Sequence, residues 1–184
     1  MSSYRVNEIF HSLQGEGFFT GTPAVFLRFS GCNLKCGFCD TDHSDAREME
    51  LPDILKEVTS YPSRHIILTG GEPAMQIDTP LVDLLHDAGF YIQVETNGTI
   101  QLPEDIDWIT CSPKGDTPAV LKRIDELKVV YVGQDVERIA SNHNAFHYFL
   151  QPCSGKNIPE TIDYILTHPH WRLSLQTHKL IDIK

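Results

Sequence analysis

Short apolar segments alternate with amphipathic segments along most of this chain, and no other feature limits the possible folds so strongly. Strand–helix alternation of this kind indicates an α/β fold with a parallel sheet and right-handed crossovers. An open doubly wound sheet and an incomplete (βα)-type barrel both fit the pattern. The predicted strands, several of them rich in Val, Ile and aromatic residues, are 24–30, 65–69, 90–96, 107–112, 127–132, 146–151 and 171–176, and the predicted helices are 51–60, 79–88, 117–126, 135–142 and 159–168.

Length and charge limit the class of protein. The 184 residues are enough for a single domain spanning 1–184 with a sizeable core. A formal net charge of −10 offers no basic footprint for a phosphate backbone, so no nucleic-acid partner is expected. No stretch approaches the ~20 consecutive apolar residues of a membrane span, so no membrane partner is expected either. The first residues lack the basic and apolar regions of a signal peptide, which favours a cytoplasmic location.

Polar motifs directly follow six of the predicted strands. Any one of them is compatible with ordinary turn chemistry, because Gly, Pro, Asn and Ser favour turns. The carboxyl ends of parallel strands, however, meet at one edge of a sheet, where α/β proteins place their chemistry. The six motifs together therefore predict a shared site; they are SGCNLKCGFCDT (30–41), TGGEP (69–73), ETNG (95–98), SPKG (112–115), QPCSGK (151–156) and QTHK (176–179).

Three of the five cysteines, Cys32, Cys36 and Cys39, stand in a CxxxCxxC spacing. In a reducing compartment such clustered cysteines indicate a metal or catalytic site rather than disulfides. One interpretation is a structural zinc ion with His43 as the fourth ligand. The other is a [4Fe–4S] cluster held by three thiolates, whose fourth iron stays open for a small molecule. The spacing alone leaves both interpretations open.

Two motifs in the correct order resemble the radical S-adenosylmethionine superfamily. The CxxxCxxC loop has an aromatic residue, Phe38, before its third cysteine, and TGGEP resembles the GGEP motif of that superfamily. The resemblance implies a trimmed radical S-adenosylmethionine core, which is an incomplete (βα)-type barrel. It also implies a [4Fe–4S] cluster whose free iron binds S-adenosylmethionine, so that reductive cleavage yields a 5′-deoxyadenosyl radical.

The same resemblance implies a set of cofactor-binding residues. Gly71 would let the backbone approach a ligand closely, and Glu72 would accept a hydrogen bond from the ammonium group of the bound methionine moiety. Cys111 and Cys153 are interpreted as small residues of this edge rather than as a fourth cluster ligand. The full implied set is Phe38, Gly71, Glu72, Thr96, Asn97, Ser112, Pro113, Lys114, Gln151, Pro152, Cys153 and Ser154.

A longer stretch resembles one family of this superfamily, the 7-carboxy-7-deazaguanine synthases. LQGEG (13–17), Arg28 before the first cysteine, and CDT (39–41) carry the resemblance, which extends to SLQTHK (174–179). The resemblance implies conversion of 6-carboxy-5,6,7,8-tetrahydropterin into 7-carboxy-7-deazaguanine with loss of ammonia, in queuosine and 7-deazapurine biosynthesis. In the implied mechanism the radical abstracts a hydrogen atom next to a pterin ring nitrogen, the six-membered ring contracts, and a hydrogen is returned. Proton loss and elimination of ammonia then give the aromatic product.

Residue roles of that family carry over onto matching positions of this chain. Arg28 would pair with the substrate carboxylate, since a planar guanidinium suits a bidentate partner. Thr41 would ligate Mg²⁺, a hard cation that prefers oxygen, and a chain-end carboxylate at Lys184 would reach the substrate. The implied substrate-binding residues are Leu13, Gln14, Gly15, Glu16, Arg28, Thr69, His178 and Lys184.

Plainer interpretations compete with these roles. Arg28 could be a buried charge paired with an acidic residue, His178 could be a surface histidine, and LQGEG could be a simple turn. For the whole chain, the alternatives are a glycyl-radical-activating enzyme, which also uses CxxxCxxC, and a non-catalytic metal-binding module. The family resemblance further implies a homodimer and a flavodoxin-type or other reductant.

Overall fold

The predicted alternation is present as a nine-stranded sheet in a computed structural model, which describes residues 3–37, 39, 44–115 and 117–184. The strands are β1 (Ser3–Leu13), β2 (Pro23–Phe29), β3 (Arg47–Glu50), β4 (His65–Gly70), β5 (Tyr91–Thr96), β6 (Trp108–Cys111), β7 (Glu126–Tyr131), β8 (His147–Pro152) and β9 (Arg172–Leu173). The helices are α1 (Leu51–Thr59), α2 (Thr79–Asp87), α3 (Val136–Ser141), α4 (Ile158–Thr167) and α5 (Thr177–Leu180). Two short 3₁₀ turns, Pro73–Met75 and Cys153–Gly155, follow β4 and β8.

The strands lie in the order β3-β1-β2-β4-β5-β6-β7-β8-β9. From β2 to β9 every neighbouring pair is parallel, whereas β1 pairs antiparallel with both β2 and β3. Among the described residues the outer strands β3 and β9 do not pair with each other, so the sheet stays open. This architecture confirms the predicted α/β class with an incomplete barrel.

Side chains along each strand alternate between two faces of the sheet, as pleating requires. In β2, Val25, Leu27 and Phe29 are fully buried in the core beneath the helices, while Phe26 and Arg28 line a cavity on the opposite face. The same alternation holds in β4, β5 and β7. Polar residues of these strands, such as Arg28, Thr69, Glu95 and Lys128, therefore line the cavity and do not enter the apolar core.

Two apolar clusters fill the space between the sheet and the helices. The larger cluster joins β1 to β6 with α1 and α2, and the smaller joins β7 and β8 with α3 and α4 around Trp171. Complete burial of a Val, Leu or Ile side chain contributes about 1.5–3 kcal/mol, so packing holds the helices in place. Within the described residues, no helix combines the length and the apolar character that a membrane crossing needs.

Helix α2 shows why the sequence begins and ends an element where it does. Asp78 Oδ1 accepts hydrogen bonds from the Leu81 amide (3.1 Å) and from the Tyr4 hydroxyl (2.6 Å). Pro80 occupies the first turn, where a missing N–H costs nothing. Gly89 follows the helix with a φ of +80°, a conformation that favours glycine. Asp78 therefore caps α2 and also ties it to β1.

The prediction of a helix over 117–126 is wrong. Residues 117–125 contain no helix, and the last position of the segment begins β7. The amide of Val120 donates to the Gly98 carbonyl (2.9 Å), and the amide of Asp125 donates to the Ile109 carbonyl (3.0 Å). Long-range hydrogen bonds to the loop after β5 and to β6 itself thus replace the helical backbone hydrogen bonds that the amphipathic pattern favours.

The ends of the sheet also differ from the prediction. The prediction lacks the antiparallel strands β1 and β3 and the short helix α5. The predicted strand 171–176 pairs with β8 only over Arg172–Leu173. Beyond this pair, Ser174 turns toward the LQGEG loop, where its hydroxyl accepts a hydrogen bond from the Gly17 amide (2.9 Å).

Candidate active site

A cavity of about 900 Å³ lies on the face of the sheet away from the helices, at the carboxyl ends of the parallel strands. The structure brings all six polar motifs to its wall. Two predicted residues, Glu72 and Pro113, are buried behind that wall. Phe38, Thr41 and the alternative zinc ligand His43 lie outside the described residues. The predicted residues that line the cavity are Leu13, Gln14, Gly15, Glu16, Arg28, Cys32, Cys36, Cys39, Thr69, Gly71, Thr96, Asn97, Ser112, Lys114, Gln151, Pro152, Cys153, Ser154, His178 and Lys184.

The three cysteines of the CxxxCxxC loop line this wall, and none of the three forms a disulfide. The Cys39 amide donates to the Cys36 carbonyl (3.2 Å), and the Leu34 amide donates to the Cys32 sulfur (3.4 Å). Within the described part of the chain, no three His, Cys, Asp or Glu side chains are grouped to hold a single metal ion. Three sulfur donors along one wall fit a multinuclear cluster, which spreads its thiolate ligands over separate irons.

Glycine lets the TGGEP loop lie directly against the start of the cysteine loop. A Cβ atom at Gly71 would stand 2.1 Å from the Gly31 carbonyl oxygen and 2.9 Å from Cys32 Cβ, so no side chain fits there. The approach is fixed by two backbone hydrogen bonds, from the Gly71 amide to the Phe29 carbonyl (3.2 Å) and from the Glu72 amide to the Gly31 carbonyl (2.9 Å). The two loops therefore form one cradle at the ends of β2 and β4.

Glu72 braces this cradle from behind. Its Oε1 accepts hydrogen bonds from the Ala74 amide (3.0 Å) and the Thr96 hydroxyl (2.6 Å), and its Oε2 accepts one from the Asn97 amide (2.7 Å). Burial raises the pKa of Glu72, and these hydrogen bonds oppose the rise. The carboxylate thus joins TGGEP to ETNG on the next strand. Its expected contact with a methionine ammonium group stays a prediction.

A buried network, here called the polar floor, lies at the base of the cavity and is centred on Lys128 of β7. Lys128 Nζ lies 2.7 Å from Glu16 Oε2 and 2.8 Å from Glu95 Oε2, and the lysine side chain is 5% exposed. Burial opposes ionisation of Glu16, but the charge and hydrogen bond of Lys128, together with Gln176 and His178, lower the pKa of Glu16. Burial dominates at Glu95 and raises the pKa of that carboxyl. Four glutamines complete the polar floor: Gln14 and Gln93 donate to Glu95 (3.1 Å each), and Gln151 and Gln176 donate to Glu16 (3.2 and 2.9 Å).

Several residues of the polar floor are absent from the predicted site. Gln93, Glu95 and Lys128 belong to strands that are otherwise apolar, and so does Glu126. Glu126 Oε2 accepts a hydrogen bond from the Phe18 amide (3.0 Å), while Oε1 is buried without a partner among the described residues. Burial raises the pKa of Glu126 to about 7. Charged and amide side chains inside strands rich in apolar residues are the sequence signal that draws attention to these positions, although it does not show which of them meet.

Arg28 combines two of the competing interpretations. Its Nε donates to Glu8 Oε1 (2.9 Å), so it is a charge paired with an acidic residue, and it also lines the cavity. Thr69 stands beside Arg28 in the parallel register of β2 and β4. Lys184 Nζ lies 2.5 Å from Glu8 Oε2, which brings residue 184 to the same part of the wall. Arg28 is therefore available to a ligand while being held by a protein carboxylate.

The segment after β9 closes over the LQGEG loop. The amide and the hydroxyl of Thr177 both donate to the Gly15 carbonyl (2.9 Å each). His178 covers Gly15 so closely that a Cβ there would stand 2.1 Å from the imidazole Nδ1. The Ser12 hydroxyl donates to the Lys184 carbonyl (2.6 Å). His178 is thus part of the cavity wall, and LQGEG is more than a simple turn.

The opposite part of the wall carries Ser112, Lys114 and the two remaining cysteines. Lys114 Nζ donates to the Ser112 hydroxyl (2.8 Å), and burial lowers the pKa of Lys114. Cys153 lines the cavity, whereas Cys111 is fully buried behind the wall. Burial raises the pKa of Cys111 to about 12, so this sulfur stays a thiol. The geometry agrees with a structural role for Cys111.

An open parallel sheet that carries a three-cysteine loop and a glycine-rich loop at one edge defines the fold and site of a radical S-adenosylmethionine enzyme. Residues 27–166 match the family model of the Radical SAM superfamily. Membership in this superfamily implies a [4Fe–4S] cluster and S-adenosylmethionine as cofactors. The three sulfur donors on the cavity wall and the cradle beside them fit that pair.

Three relatives place the chain more narrowly. It is 59% identical over 180 residues to the 7-carboxy-7-deazaguanine synthase of Bacteroides thetaiotaomicron, covering 98% of each chain. It is 44% identical over 209 residues to that of Bradyrhizobium diazoefficiens, covering 99% of this chain and 100% of the relative. The crystal structure of QueE from Escherichia coli matches with a TM-score of 0.80 at 30% identity, over 94% of this chain and 93% of that one. The chain belongs to the 7-carboxy-7-deazaguanine synthase family.

Proposed function

We propose that this chain converts 6-carboxy-5,6,7,8-tetrahydropterin into 7-carboxy-7-deazaguanine with release of ammonia, in queuosine and 7-deazapurine biosynthesis. The observation that supports this most directly is that one cavity joins the cysteine loop to the polar floor. Its volume of about 900 Å³ is at the upper end of the range for ligand pockets. One wall can therefore hold the cofactor pair while the floor holds a polar bicyclic substrate.

The cofactor side of the cavity is formed by the cysteine loop and by the ends of β4, β5, β6 and β8. When bound there, the cluster and S-adenosylmethionine supply a 5′-deoxyadenosyl radical that abstracts a hydrogen atom. Gly71 lets the TGGEP loop lie against the start of the cysteine loop, and Glu72 keeps Thr96 and Asn97 in place. Ser112, Lys114 and the segment 151–154 supply polar atoms and backbone on the facing strands. These residues bind and orient the cofactor.

The substrate side is formed by LQGEG, the polar floor and Arg28. The carboxylates of Glu16 and Glu95 can accept hydrogen bonds from the ring N–H groups of a pterin, and the glutamine amides can donate to its carbonyl. Lys128 keeps Glu16 ionised, so this acceptor is ready before the ligand binds. Arg28 would pair with the substrate carboxylate, and Thr177 and His178 would cover the bound ring.

Several parts of this proposal rest on the family resemblance. They are Mg²⁺ bound through Thr41, a homodimeric assembly, a flavodoxin-type or other reductant, and a cytoplasmic location. Mg²⁺ would need oxygen ligands from the substrate as well, because Thr41 supplies only one. Stimulation of turnover by Mg²⁺, and loss of that stimulation in Thr41→Val, would support this part of the proposal.

Anaerobic turnover tests the proposed function. The chain is reconstituted with iron and sulfide, reduced, and mixed with S-adenosylmethionine and 6-carboxytetrahydropterin, and the absorbance of 7-carboxy-7-deazaguanine is followed. We expect product to form only when S-adenosylmethionine is present. If 5′-deoxyadenosine forms without ring contraction, the substrate assignment is wrong. Cleavage that occurs only with a glycine-containing partner protein would establish the glycyl-radical-activating alternative instead.

A further inference from the structure

Glu8 reaches the cavity only because β1 contains a bulge. Val6 is fully buried in the core, so strict alternation would send residue 8 toward the core as well. The strand register shifts between Val6 and Glu8, which makes Asn7 the extra residue, and Glu8 then stands opposite Arg28 of β2. A one-residue slip moves every later side chain to the other face. Bulges commonly re-aim a side chain next to a functional site, and here the re-aimed side chain is a carboxylate.

The carboxylate of Glu8 holds two cations at once. Oε1 accepts a hydrogen bond from Arg28 Nε at 2.9 Å, and Oε2 lies 2.5 Å from Lys184 Nζ. Both cations lie over the ring of Phe10, with Arg28 Cζ at 5.9 Å and Lys184 Nζ at 4.7 Å from the ring centre. Burial would raise the pKa of Glu8, but the hydrogen bonds from Lys184 and Arg28 outweigh it and lower the pKa. Glu8 is therefore ionised at neutral pH.

The bond to Glu8 decides which donors Arg28 can offer to a ligand. A guanidinium carries five N–H donors in a fixed plane. Among the described residues, the hydrogen bond that Arg28 makes uses Nε, so the edge formed by the two terminal nitrogens can present parallel N–H bonds. This edge therefore suits a ligand with one carboxylate.

We propose that Glu8 is a positioning residue that orients the Arg28 guanidinium and thereby makes the cavity selective for a ring that bears a carboxylate. The inference rests on the proposed function, which gives Arg28 the substrate carboxylate as its partner. A purely electrostatic role for Glu8 predicts the opposite change in ligand affinity when Glu8 is removed. If Glu8 only competed with the ligand for Arg28, its removal would strengthen carboxylate binding.

Binding at equilibrium separates these roles without turnover. The cluster-loaded protein with S-adenosylmethionine is titrated with 7-carboxy-7-deazaguanine and with 7-deazaguanine, which lacks the carboxylate. In Glu8→Ala we expect the carboxylated ligand to bind about tenfold more weakly, the effect of a misplaced charge-assisted hydrogen bond, and the other ligand to be unaffected. Glu8→Gln keeps an acceptor of the same length, so it should retain most of the preference. Glu48→Ala on β3 removes an exposed carboxylate paired with Arg5 and serves as the matched control.

Three results would overturn the proposal. The first is unchanged or tighter binding of 7-carboxy-7-deazaguanine by Glu8→Ala, and the second is equal weakening of both ligands, which reports a distorted cavity. The third is failure of the proposed function itself, which can be told apart from failure of the role of Glu8. In that case the wild-type protein shows no preference for the carboxylated ligand, or Arg28→Ala keeps that preference. Thermal unfolding of each variant confirms that the fold is intact, and Glu8→Gln provides the reading if Glu8→Ala does not fold.

Discussion

Lys128 Nζ lies 2.7 Å from Glu16 Oε2, and this ion pair joins β7 to the loop after β1 across the base of the cavity. Glu95 approaches the same ammonium from β5 at 2.8 Å. Two carboxylates that would repel each other are therefore held together by one buried cation. Because each carboxylate also accepts hydrogen bonds from two glutamines, the polar floor is formed before any ligand binds.

Removal of the central cation should be costly. Lys128→Met leaves Glu16 and Glu95 buried without their counter-ion, and breaking a buried pair in this way costs about 3–5 kcal/mol. We expect that loss in the free energy of unfolding, measured with urea. Lys122→Met removes a pair with Glu104 that is mostly exposed, and should cost less than about 1 kcal/mol. Equal losses in the two variants would contradict the role given to the polar floor.

A side chain at Gly17 is predicted to destabilise the protein. It has a φ of +64°, and a Cβ atom would stand 1.9 Å from Glu126 Oε1. Gly17→Ala should therefore destabilise the protein by more than Gly21→Ala, which has a φ of +87° but open space around it and should cost about 1–2 kcal/mol. Thermal unfolding measures both. In the double variant Gly17→Ala/Glu126→Ala the clash is absent, so the losses of the two single variants should not add up. A double-mutant cycle with no coupling energy would contradict this contact.

Glu126 should make stability depend on pH in a defined direction. Burial raises its pKa to about 7, and Lys128, Glu95 and Glu16 are the charged groups around it. Between the ordinary value of 4.5 and about 7, the folded protein binds the proton more tightly than the unfolded chain does. Its contribution to the free energy of unfolding is therefore full below pH 4.5 and is lost as the pH rises through about 7.

Glu126→Gln removes this titration. The free energy of unfolding of the wild type minus that of the variant should fall as the pH rises from 5 to 8, by at most ~1.4 kcal/mol per pH unit. Urea unfolding at several pH values measures the difference directly. A difference that stays constant or grows with pH would show that Glu126 is not the titrating group.

Glu72→Gln should loosen the cradle beside the cysteine loop. An amide would turn an N–H donor toward one of the three donors that Glu72 now satisfies. We expect a loss of about 1–3 kcal/mol in unfolding free energy and weaker S-adenosylmethionine binding to the cluster-loaded protein. Glu104→Gln, an exposed change of the same type, is the control. Unaltered stability together with unaltered cofactor affinity would contradict the bracing role.

The position of the site could be predicted from the sequence, together with Gln14, Glu16 and Gln151 of the polar floor, whereas the floor's residues on β5 and β7 could not. Motifs such as TGGEP and QPCSGK can be recognised in the sequence because polar and turn-forming residues follow apolar strands. Parallel strands bring the ends of such strands together at one edge of the sheet. Lys128 and Glu95 lie within apolar strands, where the sequence does not show which face a residue takes or which residues meet across the sheet. Only the packed sheet reveals that they converge on Glu16.

The differences between the predicted and the observed fold also have physical causes. In β1 the bulge at Asn7 interrupts the alternation between Val6 and Phe10, so the segment carries no clean period of two. The stretch 117–125 has a helical pattern of apolar residues, but its amides donate to distant loops. Tertiary hydrogen bonding thus overrides local preference there, and a single sequence gives no sign of it.

Isotope transfer can show whether the radical source and the pterin occupy one cavity of this chain. The reduced, cluster-loaded protein is given S-adenosylmethionine and 6-carboxytetrahydropterin labelled with deuterium at the carbon that bears the carboxylate. Loss of ammonia alone balances this conversion, so the abstracted hydrogen is returned after the ring contracts. We therefore predict deuterium at the 5′ carbon of 5′-deoxyadenosine and of re-formed S-adenosylmethionine while 7-carboxy-7-deazaguanine forms. Unlabelled 5′-deoxyadenosine formed while the labelled pterin stays intact would contradict this prediction.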